Sequence, residues 1–180
     1  MNRFIDRILR AAKLDAHLYE EVEADRSAMS QAMAVVVISS VAAGIGSIGM
    51  GVGGPGGFLF GIIASLGGWY LWAYLIFFIG TKVLPEPQTH SDPGELLRTI
   101  GFSSSPGFIR VLGIIPGLGA LVFSLASVWM LVAMVVAVRQ ALDYKSTWRA
   151  VGVCAIGWVI QMVIFMILFS FFGGGTPPAG

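Results

Sequence analysis

Residues 27–81 read SAMSQAMAVVVISSVAAGIGSIGMGVGGPGGFLFGIIASLGGWYLWAYLIFFIGT, fifty-five residues between Arg26 and Lys82 without one charged side chain. A membrane-spanning helix needs about 20 mostly apolar residues, so this stretch holds two spans and a turn. The turn is written at Gly51-Val52-Gly53-Gly54-Pro55-Gly56-Gly57. There, glycine entropy and the missing proline N–H both stop a helix. Strand alternation of the barrel kind is absent. Lipid offers no partner to an unpaired amide, so the spanning backbone is helical.

Working outward, residues 99–138 carry one charge, Arg110, and residues 150–180 carry none. The first of these stretches breaks at Ile115-Pro116-Gly117-Leu118-Gly119. Its first half begins earlier, at Asp92-Pro93-Gly94-Glu95. Asp92 is a good N-cap, Pro93 suits the first helical position, and Glu95 completes a capping box. The pattern predicts one helix over about 93–115, kinked at Pro106.

The expected fold is therefore all-α, a polytopic membrane helix bundle. Five transmembrane helices fall at about 28–50, 57–81, 93–115, 118–138 and 147–172. A cytosolic amphipathic arm and acidic connector (1–27) precede them, and a short extracytoplasmic tail (173–180) follows.

Composition agrees. Of 180 residues, 56% are hydrophobic and 12% charged, about half the usual charged share, and mean hydropathy is +0.83. This excludes a soluble globular enzyme and a disordered chain. A net charge of +1 gives no field to attract nucleic acid. The single Cys154 excludes an intramolecular disulfide and a cysteine metal cluster. His17 and His90 each stand alone among carboxylates on exposed segments, so no metal is expected. No phosphate-binding loop, HExxH, nucleophile elbow or dinucleotide fingerprint occurs. No cofactor is expected, and the chain reads as non-enzymatic.

Charge also predicts orientation. With five spans and a cytosolic N-terminus, ten of the eleven Lys and Arg face inward, a strong positive-inside bias. That leaves the C-terminus extracytoplasmic. The first residues are too interrupted by charge for a signal peptide, and neither end carries a lipidation motif.

Met1, Phe4, Ile5, Ile8, Leu9 and Ala12 recur at helical spacing, with Arg3, Arg7, Arg10 and Lys13 mostly off that face. Such a basic amphipathic helix lies on the inner leaflet or packs on the protein's own cytosolic side. The acidic run Tyr19–Asp25 reads as a solvated connector. Glycines at four-residue spacing (Gly49/Gly53, Gly57/Gly61, Gly113/Gly117) read as close helix packing or turns. Trp148 and Tyr144 read as interfacial anchors.

Two residues stand out inside the spans. Arg110 is the only charge deep in one, and snorkelling to the outer headgroups is its first explanation. Gln161 lies near mid-depth of the fifth, where an interhelical hydrogen bond explains it more simply than a solute site.

Three stretches together carry a resemblance. They are Tyr19-Glu20-Glu21-Val22-Glu23-Ala24-Asp25 followed by Gln31-Ala32; Leu97 to Pro106, continuing to Ile115-Pro116-Gly117-Leu118-Gly119; and Trp129 with Val136-Ala137-Val138-Arg139-Gln140-Ala141-Leu142-Asp143. From about 15 to 172 the chain resembles the prokaryotic branch of the Yip family of five-span membrane proteins. The resemblance implies the cytoplasmic (inner or plasma) membrane as its location. Eukaryotic relatives act in vesicle traffic, bind prenylated Rab-type GTPases and one another, and shape membranes. They carry a long cytosolic N-terminal region. About 27 residues precede the first span here, so GTPase binding is not expected.

The functional expectation is a non-enzymatic membrane scaffold or adaptor that works through helix–helix contacts and its cytosolic face. Arg98, Gly101, Phe102, Pro106, Arg139, Asp143 and Arg149 form the expected partner face. Its partners would be the lipid bilayer, another membrane protein or itself. The alternative is a small transporter or channel subunit for a neutral or hydrophobic solute, with Arg110 and Gln161 as its intramembrane polar site. An enzyme acting on lipid or peptide ranks last, because the chain offers no nucleophile–base pair.

Overall fold

The computed structural model describes residues 3–51 and 55–172. The centre of the expected glycine–proline turn and the tail 173–180 lie outside the described residues. Within them there is no strand. The α-helices are α1 (Arg3–Ala12), α2 (Ala16–Ala24), α3 (Met29–Ile48), α4 (Pro55–Phe78), α5 (Pro93–Phe102), α6 (Gly119–Ala141) and α7 (Thr147–Phe172). Four stretches are long and apolar enough to cross a membrane: Arg26–Ile48, Phe58–Val83, Gly119–Ala141 and Thr147–Ile164. Large apolar side chains face outward along them, including Leu59, Phe60, Leu121, Val128 and Val159, as lipid-facing helices require.

The continuous helix expected over 93–115 is two pieces. The capping box forms as read: Asp92 Oδ1 accepts from Glu95 N at 2.9 Å, and Glu95 Oε2 accepts from Asp92 N at 2.9 Å. The α-helix then stops at Phe102, and Ser105–Ile114 follows as a 3-10 helix. Pro106 causes the break. It has no N–H for the carbonyl of Phe102, and its ring disfavours helical geometry in the residue before it. Ser105 Oγ takes that carbonyl instead, at 2.7 Å. Ten residues is long for a 3-10 helix, whose tighter winding rises about 2 Å per residue.

That thinner segment lets α3 come very close. An added Cβ on Gly46 would overlap the carbonyl oxygen of Arg110, and one on Gly49 would overlap that of Gly113. On the 3-10 side, a Cβ on Gly107 would overlap Ser39 and lie 2.8 Å from Met130 Sδ of α6. Here glycine serves backbone approach, at Gly46 and Gly107, which fall in none of the four-residue pairs, as well as at Gly49. The wall of α4 is different: added Cβ atoms at Gly61, Gly67 and Gly68 meet nothing within 4 Å.

Helix α4 is tied elsewhere. Trp69 Nε1 donates to Leu97 O at 3.0 Å and Trp72 Nε1 to Met134 Sδ at 3.1 Å. The helix ends in a single π turn, Ile79–Val83. Tyr144 OH reaches the carbonyls of Leu84 at 2.7 Å and Gly80 at 3.0 Å. Burial pushes its phenol up to about 12, so it remains a donor. Tyr144 is thus an interior plug, 3% exposed, rather than an interfacial anchor. Trp148 stands 83% exposed, free to play that part.

Candidate functional site

A chamber of about 1190 Å³ lies between α3, α4, the 3-10 segment, α6 and α7. Trp69, Trp72, Ile100 and Met134 form its floor, at the end nearer α2 and α5. Gly61, Ser65 and Gly68 line the α4 wall, Ser40 and Ser47 the α3 wall, and Ile48, Phe58 and Arg110 the far end. Ser40 and Ser65 meet hydroxyl to hydroxyl at 2.5 Å. The Ser47, Ser103 and Ser127 hydroxyls each donate to a carbonyl of their own segment at 2.7 Å. Their protons are used locally, which spares the helices an unsatisfied hydroxyl.

Arg110 and Gln161 both line this chamber. The Arg110 guanidinium lies 5.6 Å over the Phe123 ring, and Nη2 donates to Ser127 Oγ at 3.2 Å. Its Nε is buried and has no partner. It turns into the bundle rather than snorkelling out. No acidic residue lines the chamber.

At the other end α1 and α2 fold back as a cap. Arg7 is 1% exposed. It donates to Glu21 Oε1 at 3.0 and 2.9 Å, to Asp25 Oδ2 at 2.7 Å and to Gln31 Oε1 of α3 at 3.0 Å. Arg10 bridges Asp15 at 2.8 Å and Glu21 at 2.7 Å. The Ser27 hydroxyl and the Arg7 guanidinium hold the Asp25 carboxyl down at about 2. Arg98 reaches up from α5, donating from Nε to Val22 O at 2.9 Å and from Nη2 to Glu23 O. Gln140 Nε2 donates to Glu20 Oε1, and Trp129 Nε1 to Ala12 O, both at 2.8 Å. The acidic run is therefore a packed helix, with Tyr19 and Val22 fully buried, and not a solvated connector. Phe4 and Ile8 pack on the bundle, whereas Ile5 and Leu9 stay 48% and 45% exposed.

Glu23 is the cap's least favoured charge. Burial, then Glu95 and Asp143, raise its carboxyl to about 8, Arg98 opposes them, and Glu20 adds to the rise. The folded protein therefore holds this proton more tightly than the unfolded chain. Its contribution to stability is full below the ordinary value of 4.5, falls as pH rises towards 8, and is lost above it. Glu23→Gln should raise the melting temperature slightly at pH 5 and much more at pH 9. Equal shifts at both pH values would contradict this.

The family model for the Yip1 domain matches residues 16–169. The chain belongs to the Yip1-domain family. Neither curated proteins nor solved structures give a match. With its apolar helices, membership makes this a multi-pass membrane protein.

In this Yip1-domain protein the expected partner face divides. Arg98, Gly101, Phe102 and Pro106 are buried. Arg98 is consumed by the α2 carbonyls, and Gly101 lies against Ala32 of α3. These residues assemble the protein and present no surface. Asp143 and Arg149 remain exposed and Arg139 partly so. Arg139 Nε donates to Tyr144 O at 3.2 Å, and Arg149 Nη1 to Pro85 O at 2.9 Å beside Glu86.

Trp69 and Trp72 belong to an aromatic stripe that reads as packing, and the serine lining of the chamber was not singled out from sequence. Its signal is there: Gly61, Ser65 and Gly68 fall on one face of α4, and Ser40 and Ser47 on one face of α3. Small residues at that spacing ordinarily mean helix packing.

Proposed function

We propose that this Yip1-domain protein is a non-enzymatic scaffold or adaptor of the cytoplasmic membrane, with the cap on the cytosolic side. The observation that supports this reading is the Arg7 clasp, which turns the first helices into a fixed surface rather than a tether. A surface held in place before binding loses less entropy when a partner docks. The cap exposes His17 and Glu20, and the turn between α6 and α7 exposes Asp143 and Lys145. They replace the buried 98–106 stretch as the expected contact face. A photo-crosslinker at Glu20, used in native membranes, should yield one dominant protein adduct, either another membrane protein or a second copy of this chain. The adduct should be lost in Arg7→Met. Adducts with lipid alone would overturn the reading.

A second reading, a path for a neutral or hydrophobic solute, is favoured by the chamber and by Gln161 in its wall. Solute flux in proteoliposomes that disappears in Gln161→Ala would select it.

A further inference from the structure

The charge of Arg110 has no counterpart around it. A guanidinium does not give up its proton in a protein, and a charge within a membrane span is favoured by an opposite one beside it. What Arg110 has is a phenyl face, one serine oxygen and a buried Nε with no partner. The chain's acidic side chains all lie within residues 6–25 and 86–95 or at Asp143, outside the segments that wall the chamber. Among the described residues no acidic side chain neutralises Arg110, which leaves its charge available to an anionic ligand.

The rest of the chamber describes that molecule. From Arg110 it runs to the apolar floor of Trp69, Trp72, Ile100 and Met134. Both indole N–H groups of the floor are already bonded, to the Leu97 carbonyl and to the Met134 sulfur. At about 1190 Å³ it exceeds the roughly 300–1,000 Å³ of ordinary small-molecule pockets. A small anion would satisfy Arg110 and leave the floor empty. The bare glycines Gly61 and Gly68 keep the α4 wall back, with nothing packed against them. We infer that the chamber holds one anionic phospholipid, its phosphate paired with Arg110 and an acyl chain lying on the tryptophan floor. Guanidinium and phosphate are matched for bidentate, charge-assisted hydrogen bonds.

The test is native mass spectrometry of the purified full chain in detergent. It is titrated with phosphatidylglycerol, with phosphatidylcholine of the same acyl chains, and with inorganic phosphate. One phosphatidylglycerol per chain should bind, at least about tenfold more tightly than phosphatidylcholine. Arg110→Gln should bind the two lipids equally, and Gly68→Phe, which fills the chamber from a position with free space, should bind neither. Inorganic phosphate should not displace the lipid. Equal binding of both lipids by the unaltered chain, retained preference in Arg110→Gln, or displacement by phosphate would each overturn the assignment. If Arg110→Gln does not fold, Gly68→Phe decides: phosphatidylglycerol bound as in the unaltered chain would place the lipid outside the chamber. The outcome is independent of whether a protein docks on the cap.

Discussion

Arg7→Met should release the N-terminal hairpin while the spanning helices stay folded. The guanidinium is 1% exposed and holds Glu21, Asp25 and Gln31 together. Its removal leaves Glu21 and Asp25 facing each other with only the exposed Arg3 shared between them. Breaking a buried ion pair costs about 3–5 kcal/mol. The carboxylates here keep 33% and 21% exposure, so water relieves part of that, and about 3 kcal/mol is expected. Hydrogen exchange should show the amides of α1 and α2 losing protection, with α3 and α6 unchanged. Arg3→Ala is the control: Arg3 touches the same two carboxylates but is 68% exposed, and such pairs contribute little. Unchanged protection of α1 in Arg7→Met would show that Phe4, Ile8 and Arg98 hold the cap without the clasp.

Gly46→Ala and Gly61→Ala should move stability in opposite directions. By intrinsic propensity each gains up to about 1 kcal/mol as alanine replaces glycine inside a helix. At Gly61 the new methyl meets nothing within 4 Å, so the melting temperature should rise. At Gly46 it overlaps the Arg110 carbonyl and lies 2.9 Å from Phe123 Cε2. The obstacle is backbone, so α3 and the 3-10 segment must part along their length. About 3 kcal/mol of overpacking is expected, enough to outweigh propensity and lower the melting temperature in detergent. Matching shifts at the two sites would mean that the α3 contact is looser than its geometry.

These two predictions mark how the sequence relates to the structure. The helical, membrane-spanning character could be read from residues 27–81, because a charge-free run of that length has no other stable home. The start of α5 could be read from Asp92 and Glu95, because a capping box involves only residues three apart. The family resemblance was also legible, carried by the order of short motifs across most of the chain.

The end of α5 was half legible. Pro106 signalled a disturbance, read as a kink, but not that the segment after it winds as a 3-10 helix lying against Gly46 and Gly49 of α3. The fate of individual charges was not legible at all. Arg98 looked like part of a surface and is enclosed by α2, 75 and 76 positions away in the chain. Glu21 and Asp25 looked solvated and are claimed by Arg7. Arg110 looked like a snorkelling residue and turns towards Ser127 and Phe123.

Hydrophobic length, caps and helix breakers act on near neighbours, so one chain of letters is enough to determine them. Whether a charge meets water, a carbonyl or the wall of a cavity depends on which distant segment packs beside it. Only the tertiary arrangement decides that, because a charge's energy is set by the groups within a few ångströms of it in space.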